Sequence, residues 1–250
     1  MERGHIVNAP TALVVGAPGT NRDADVMLAL ELAGADCRRV TPGELGADPT
    51  PLESSQLLVL AGGFSYGDNT GAGRLFGLEI DSLAGDSIRR FISHGRPVLG
   101  ICNGFQALVR AGLLPGAPGA IALGHNESGS FDCRWVRIQP VSARSVWTRG
   151  LVEDIDCPIA HGEGRFTCST ATLAALEQSD SIAFRYAGSN PNGSAGAVAG
   201  ICDPSGVVLG LMPHPENHVL QRQNPQAARG ERGGLGLALF RAGVDHARSC

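Results

Sequence analysis

Arg96-Pro97-Val98-Leu99-Gly100-Ile101-Cys102-Asn103-Gly104-Phe105-Gln106 joins a short apolar run to a helical pattern through one cysteine, with a glycine two positions away on either side. Strand, sharp turn and helix around such a residue make the G-x-nucleophile-x-G elbow. The nucleophile sits at a strained backbone angle that throws its side chain outward. A Cβ at either glycine would collide with the neighbouring strand or helix. The following helix presents its N-terminal amides and positive dipole end to the sulfur, an arrangement that favours a thiolate. The bland alternative is a buried core cysteine beside a glycine-rich turn, and the distant residues described below weigh against it.

Upstream, Thr11–Val15 reads as a buried strand ended by Gly16-Ala17-Pro18-Gly19-Thr20-Asn21. Asn21 or Asp23 is expected to cap a helix that runs through Val26, Leu28, Leu30 and Leu32 and stops at Gly34. Cys37–Val40 is a second strand, followed by a polar Pro/Gly-rich loop from Thr41 to Pro51. Leu57–Leu60 is a third strand, breaking into Ala61-Gly62-Gly63-Phe64-Ser65-Tyr66-Gly67-Asp68, and a helix through Ile80, Leu83, Ile88 and Phe91 leads to the elbow strand. This alternation predicts an α/β fold: an open, mostly parallel sheet with helices on both faces. Sites in such sheets lie beyond the carboxyl ends of the strands, where Gly62-Gly63 and Cys102 both fall.

Downstream the pattern changes after Gly112-Leu113-Leu114-Pro115-Gly116. Phe131–Ile138 alternates as a half-buried strand does. Ser181–Tyr186 and Gly196–Cys202 are further strands around the turn signal Asn190-Pro191-Asn192-Gly193. Val207–Met212 runs into Pro213-His214-Pro215-Glu216, 221–234 reads as loop, and Leu235–Ala247 as a closing amphipathic helix. With no internal repeat and no long linker, residues 1–250 are expected to form one domain.

The composition excludes several classes of function. A net charge of −4 lacks the basic footprint of a nucleic-acid binder. All 20 basic residues are arginine, which rules out a Walker-type phosphate loop, a Schiff-base lysine and a Ser-Lys dyad. Seven scattered cysteines without a C-x-x-C pair favour reduced thiols over disulfides or a zinc ribbon, and no metal site is expected. Met1–His5 carries no apolar signal core and no run approaches membrane-spanning length, so a cytoplasmic location is expected.

A thiol nucleophile needs a base, an orienter for that base and donors for the oxyanion. His214 follows an apolar strand and lies two positions before Glu216; in extended chain both project to one side, so the carboxylate can hold the imidazole in one tautomer. The flanking Pro213 and Pro215 stiffen the segment. The backbone at Gly62-Gly63 is suited to oxyanion binding because glycine permits close approach. Taken singly, these residues also fit an incidental surface ion pair and an ordinary strand-to-loop turn.

G-I-C-N-G-F-Q with M-P-H-P-E resembles the class I (triad) glutamine amidotransferases. Ala61–Asp68, Cys102–Gln106, Ala160-His161-Gly162-Glu163-Gly164, Asn190–Ser194 and Gly210–Glu216 extend the resemblance to the branch that serves phosphoribosylformylglycinamidine synthases. It spans nearly the whole chain and implies a flavodoxin-like fold with additional antiparallel strands. It also implies a glutaminase. Cys102 would attack the glutamine carboxamide, with His214 as base and then acid and Glu216 orienting it. Gly62, Gly63 and the Asn103 amide would hold the oxyanion, and Gln106 would seat glutamine. His161 and Glu163, on an H-G-E-G loop, would lie near the site or the partner contact, a structural turn being the alternative. No cofactor is implied in this chain. ATP and Mg would belong to a larger (PurL-type) synthetase subunit that receives the ammonia, with a small (PurS-type) bridging subunit. Ala61 stands where that branch usually has proline, Asn217 where arginine is common, and Asn69–Gly73 is closer to the fused, large-enzyme form. Rival readings are another triad amidotransferase with a different synthetase, a cysteine hydrolase of γ-glutamyl or peptide substrates, and a silent regulatory subunit.

Overall fold

The computed structural model describes residues 9–115, 119–230 and 233–250; Met1–His5 and Gly116, read above, lie outside them. In chain order the elements are β1 (Thr11–Val15), α1 (Asp23–Ala33), β2 (Asp36–Val40), α2 (Pro42–Ala47), α3 (Thr50–Glu53), β3 (Leu57–Leu60), α4 (Arg74–Ser93), β4 (Val98–Ile101) and α5 (Asn103–Arg110). Then follow β5 (Ile121–His125), β6 (Asp132–Pro140), β7 (Ile155–His161), β8 (Glu163–Cys168), α6 (Thr170–Gln178), β9 (Ile182–Ala187), β10 (Val198–Cys202), β11 (Val208–Leu211) and α7 (Leu237–Ala247).

A sheet of nine strands runs β2-β1-β3-β4-β11-β10-β9-β6-β7, and β5 pairs with β8 in a second, two-stranded sheet. From β2 to β11 neighbouring strands are parallel; from β11 to β7 they are antiparallel. The α/β architecture anticipated above is therefore present, with an antiparallel extension of four strands. The central strands of the parallel half are apolar on both faces: β3, β4 and β11 are buried throughout, as required of a sheet covered by helices on each side, while the edge strand β2 is largely exposed.

Several local expectations need correction. α1 is capped by Arg22 with no side-chain bond, while Asp23 lies inside the first turn. The segment expected as a loop from Thr41 holds α2 and α3. Thr41 and Glu44 form a capping box, Thr41 Oγ1 accepting from Glu44 N and Glu44 Oε2 from Thr41 N, with Pro42 supplying a preset first helical position. H-G-E-G is not a loop: His161 closes β7, Glu163 opens β8, and Gly162 is the step between two sheets. Segment 221–234 contains short 3-10 turns at Gln221–Gln223 and Ala227–Arg229. Among the described residues no helix is long and apolar enough to cross a membrane.

Trp147 is fully buried and ties the closing helix to the sheet. Its Nε1 donates to Val207 O at 2.9 Å, and its ring lies where a Cβ on Gly243 of α7 would come within 2.1 Å.

Candidate active site

Cys102 stands between β4 and α5 at φ 51°, ψ −106°, a backbone conformation costly for any residue but glycine. The flanking glycines are needed for space. A Cβ on Gly104 would lie 2.0 Å from Leu60 O of β3, and one on Gly100 would lie 2.5 Å from Leu108 and 2.8 Å from Gly104 O. α5 thus packs closely against β3 and β4, and Cys102 is its N-cap residue. Only 4% of the residue is exposed.

β11 pairs with β4 in register from Val208↔Val98 to Leu211↔Ile101, so the segments leaving both strands emerge side by side. Cys102 follows one and His214 the other. They close over Gly62, where a Cβ would lie 2.9 Å from His214 Cε1 and 3.4 Å from Cys102 Cβ. His214 N is held by Pro158 O at 2.9 Å, and His214 Nδ1 bonds Glu216 Oε1 at 2.7 Å. The route to that bond differs from the strand alternation expected above. Pro215–His218 is a 3-10 turn, which folds Glu216 back beneath the ring. With Nδ1 engaged, Nε2 is the nitrogen left for the thiol. Burial pushes the His214 pKa down, but the charges of Glu216 and Cys102 outweigh it and raise it to about 10.

Gly63 (φ 141°) lies opposite Thr20 in an isolated antiparallel bridge. Phe64 N donates to Gly19 O across that bridge and Arg22 N donates to Gly62 O beside it, so neither bond uses the amide of Gly63. A Cβ there would lie 2.6 Å from Asn21 N. The following F-S-Y-G-D segment is clamped to the elbow. Ser65 Oγ bonds Asn103 Oδ1, and Asn103 Nδ2 donates to Asp68 Oδ1 at 2.9 Å and to Gln106 Oε1 at 3.2 Å. Gln106 Nε2 in turn donates to Glu163 O, and Glu163 Oε2 accepts from Ala72 N at 3.3 Å. Burial raises the Asp68 carboxyl above its ordinary range.

The chain matches the model of the CobB/CobQ-like glutamine amidotransferase domain over residues 9–247. The chain belongs to the glutamine amidotransferase family. Within it, the chain is 42% identical to a phosphoribosylformylglycinamidine synthase subunit PurQ of Treponema denticola, over 95% of this chain and 98% of that protein. It is 40% identical to a PurQ of Rhizobium johnstonii, over 93% and 96%. The solved structure of PurLQS from Thermotoga maritima superimposes with a TM-score of 0.77 at 32% identity, covering 95% of this chain and 98% of that one. The glutaminase domain of a Trypanosoma brucei CTPS shares the fold, with a TM-score of 0.61 at 15% identity over 96% and 94%.

In this amidotransferase all nine residues singled out in the sequence lie in one connected neighbourhood. Cys102, His214, Glu216 and Gly62 pack together, and Asn103, Gln106 and Glu163 form the hydrogen-bonded chain beside them. Gly63 follows Gly62, and His161 lies two positions before Glu163. Residues that sequence reasoning did not single out also hold the site. Ser65 and Asp68 position Asn103, and they fell inside the G-G-F-S-Y-G-D motif, which was their signal. Asn126 bonds His161 and stands in a stretch with no pattern to mark it.

Proposed function

We propose that this chain is the glutaminase subunit of a phosphoribosylformylglycinamidine synthase, and that Cys102, His214 and Glu216 carry its chemistry. The observation that carries the reading is the meeting of the elbow cysteine with a Glu216-bound histidine over Gly62. The identity to PurQ proteins along nearly the full chain, and the match to PurLQS, support the assignment to that synthase.

The proton inventory follows from the electrostatics. With its pKa near 10, His214 is held as a cation next to Cys102. The thiolate attacks the carboxamide carbon, and the negative oxygen that forms is received by the amides of Gly63 and Asn103, with Gly62 keeping the approach open. His214 passes its proton to the departing nitrogen, so the C–N bond breaks as ammonia leaves and a γ-glutamyl thioester remains. Water then attacks the thioester and gives a proton to His214, and the C–S bond breaks to release glutamate and the thiolate. Glu216 holds the ring in one orientation throughout, and Gln106 seats the substrate.

Ammonia passes to a larger synthetase subunit that binds ATP and Mg and converts formylglycinamide ribonucleotide to formylglycinamidine ribonucleotide, with a small bridging subunit between the two. The chain forms one glutaminase unit in the cytoplasm. In support, one unbroken sheet carries both the strand before Cys102 and the strand before His214. The test is reconstitution with synthetase and bridging subunit. Glutamine-dependent formation of formylglycinamidine ribonucleotide is expected, with low glutamine hydrolysis by the chain alone. Stimulation by a different acceptor and none by this one would refute the assignment.

A further inference from the structure

The oxyanion of the proposed reaction needs two amides, Gly63 N and Asn103 N, and they belong to separate segments, one leaving β3 and the other leaving β4. Their spacing has to be held closely, since a misplacement of about 1 Å costs about 100-fold in rate. Beyond Leu60↔Gly100, the last pair of β3 and β4, one side chain hydrogen-bonds the two segments together: the buried carboxamide of Asn103. Its Oδ1 accepts from Ser65 N at 3.3 Å and from Ser65 Oγ, and its Nδ2 donates to Asp68 Oδ1 at 2.9 Å. The Ser65 amide can only donate and the carboxylate can only accept, so the carboxamide has one orientation. The residue whose own amide is one oxyanion donor thus grips the segment that carries the other.

The backbone that delivers Asp68 to this bond is a costly one. Tyr66, Gly67 and Asp68 are left-handed in succession, at φ 55°, 65° and 51°. Two of the three are not glycine, and such strain persists only where the surroundings hold it. Here Tyr66 N donates to Pro18 O at 2.7 Å, Tyr66 Oη bonds Glu79 of α4, and Gly67 N donates to Phe64 O at 2.8 Å. Asp68 Oδ1 also receives Gly73 N at 3.4 Å. The turn reverses the chain directly after Gly63-Phe64-Ser65, so that Ser65 and Asp68 reach the two ends of one carboxamide.

Building on the glutaminase reading, we propose that Ser65 and Asp68 are positioning residues of the oxyanion hole. Acting through the Asn103 side chain, they set the spacing between the amides of Gly63 and Asn103. The oxyanion exists only once attack has begun, so loss of this clamp lowers kcat and leaves KM for glutamine nearly unchanged.

Kinetics of the reconstituted complex test this. Asp68→Ala is expected to lower kcat for glutamine by roughly 10- to 100-fold, part of what removal of a whole oxyanion donor costs, with KM within about twofold. Asp68→Asn keeps an acceptor oxygen for Asn103 and tolerates the left-handed angle, so it should recover much of the loss. Ser65→Ala keeps the test open if Asp68→Ala does not fold. It should lower kcat by about 3- to 10-fold, the effect of one hydrogen bond, because Ser65 N still donates to Asn103. Alkylation of Cys102 by iodoacetamide is a displacement at carbon that forms no oxyanion. Read on the Cys102 peptide by mass spectrometry, it should run at the parent rate in all three variants, and ammonia-dependent synthesis should be unchanged. Unchanged kcat in the alanine variants, an effect confined to KM, an equal loss in Asp68→Asn, or a matching change in Cys102 alkylation would each overturn the proposal. Failure of the wild-type complex to use glutamine at all would instead sink the glutaminase reading on which it rests.

Discussion

His214 and His161 are both buried, yet their neighbours drive them in opposite directions, and stability should depend on pH accordingly. His214 is raised to about 10, so the stability it contributes is complete below the ordinary value near 6.5 and is lost as pH rises through about 10. His161 is depressed to about 4, so the fold loses stability as pH falls below 6.5, and that loss levels off below about 4. Urea unfolding of His161→Gln between pH 7 and 4 should show a shallower acid limb than the parent. Equal slopes would mean that His161 does not resist protonation. A second outcome concerns His214 alone. Cys102→Ala removes one of the charges that hold the ring cationic, so the His214 pKa should fall, as a ring NMR titration would read. No change would place the thiol too far away to matter. The cysteine and the His-x-Glu pair were legible in the sequence because each sits at the end of an apolar strand. Asn126 was not, since a single asparagine in G-H-N-E-S has no period or partner to mark it.

At the level of elements, the elbow is a packing device. Gly104→Ala would push a methyl into Leu60 O and force α5 away from β3. Overpacking of this kind costs about 1–3 kcal/mol, and it would also displace Cys102, so activity should fall further than stability. A variant that keeps full glutaminase activity would show that close approach of α5 is not required. The same scale shows where sequence patterns mislead. Thr41-Pro42-Gly43-Glu44 looked like loop because of its proline and glycine, although Thr and Glu three apart make a helix start. β7 was overlooked because Pro158 interrupts it. As an edge strand paired only with β6, it can tolerate a residue without an N–H, and its buried alternation Ile155, Cys157, Ile159, His161 was present all along. The H-G-E-G motif looked like a loop for the same reason: without β7 and β8 it had nothing to join.

For the whole molecule, the nine-stranded sheet links the thiol side to the H-G-E-G side through continuous pairing, so the chain should unfold by heat in one transition. Two resolved calorimetric transitions would divide it. Trp147 braces this assembly from behind, between Val207 and α7. Trp147→Ala should cost about 3–5 kcal/mol and lower the melting temperature by on the order of 10 °C. The parallel half was legible because its inner strands β1, β3, β4 and β11 are apolar runs, the first three separated by helical periods, whereas the edge strand β2 carries Asp36, Arg38 and Arg39. The antiparallel half was only partly so, since half-buried strands such as β6 and β7 mix polar and apolar residues and their order depends on long-range pairing.

The central claim is that Cys102, among seven cysteines, is the thiol that reacts with glutamine. The direct measurement is peptide mass spectrometry of the full chain after treatment with a glutamine-directed electrophile, with and without excess glutamine. One modification is expected, on the peptide that contains Cys102, suppressed by glutamine and absent in Cys102→Ala. Modification of another cysteine with Cys102 left free would contradict the account.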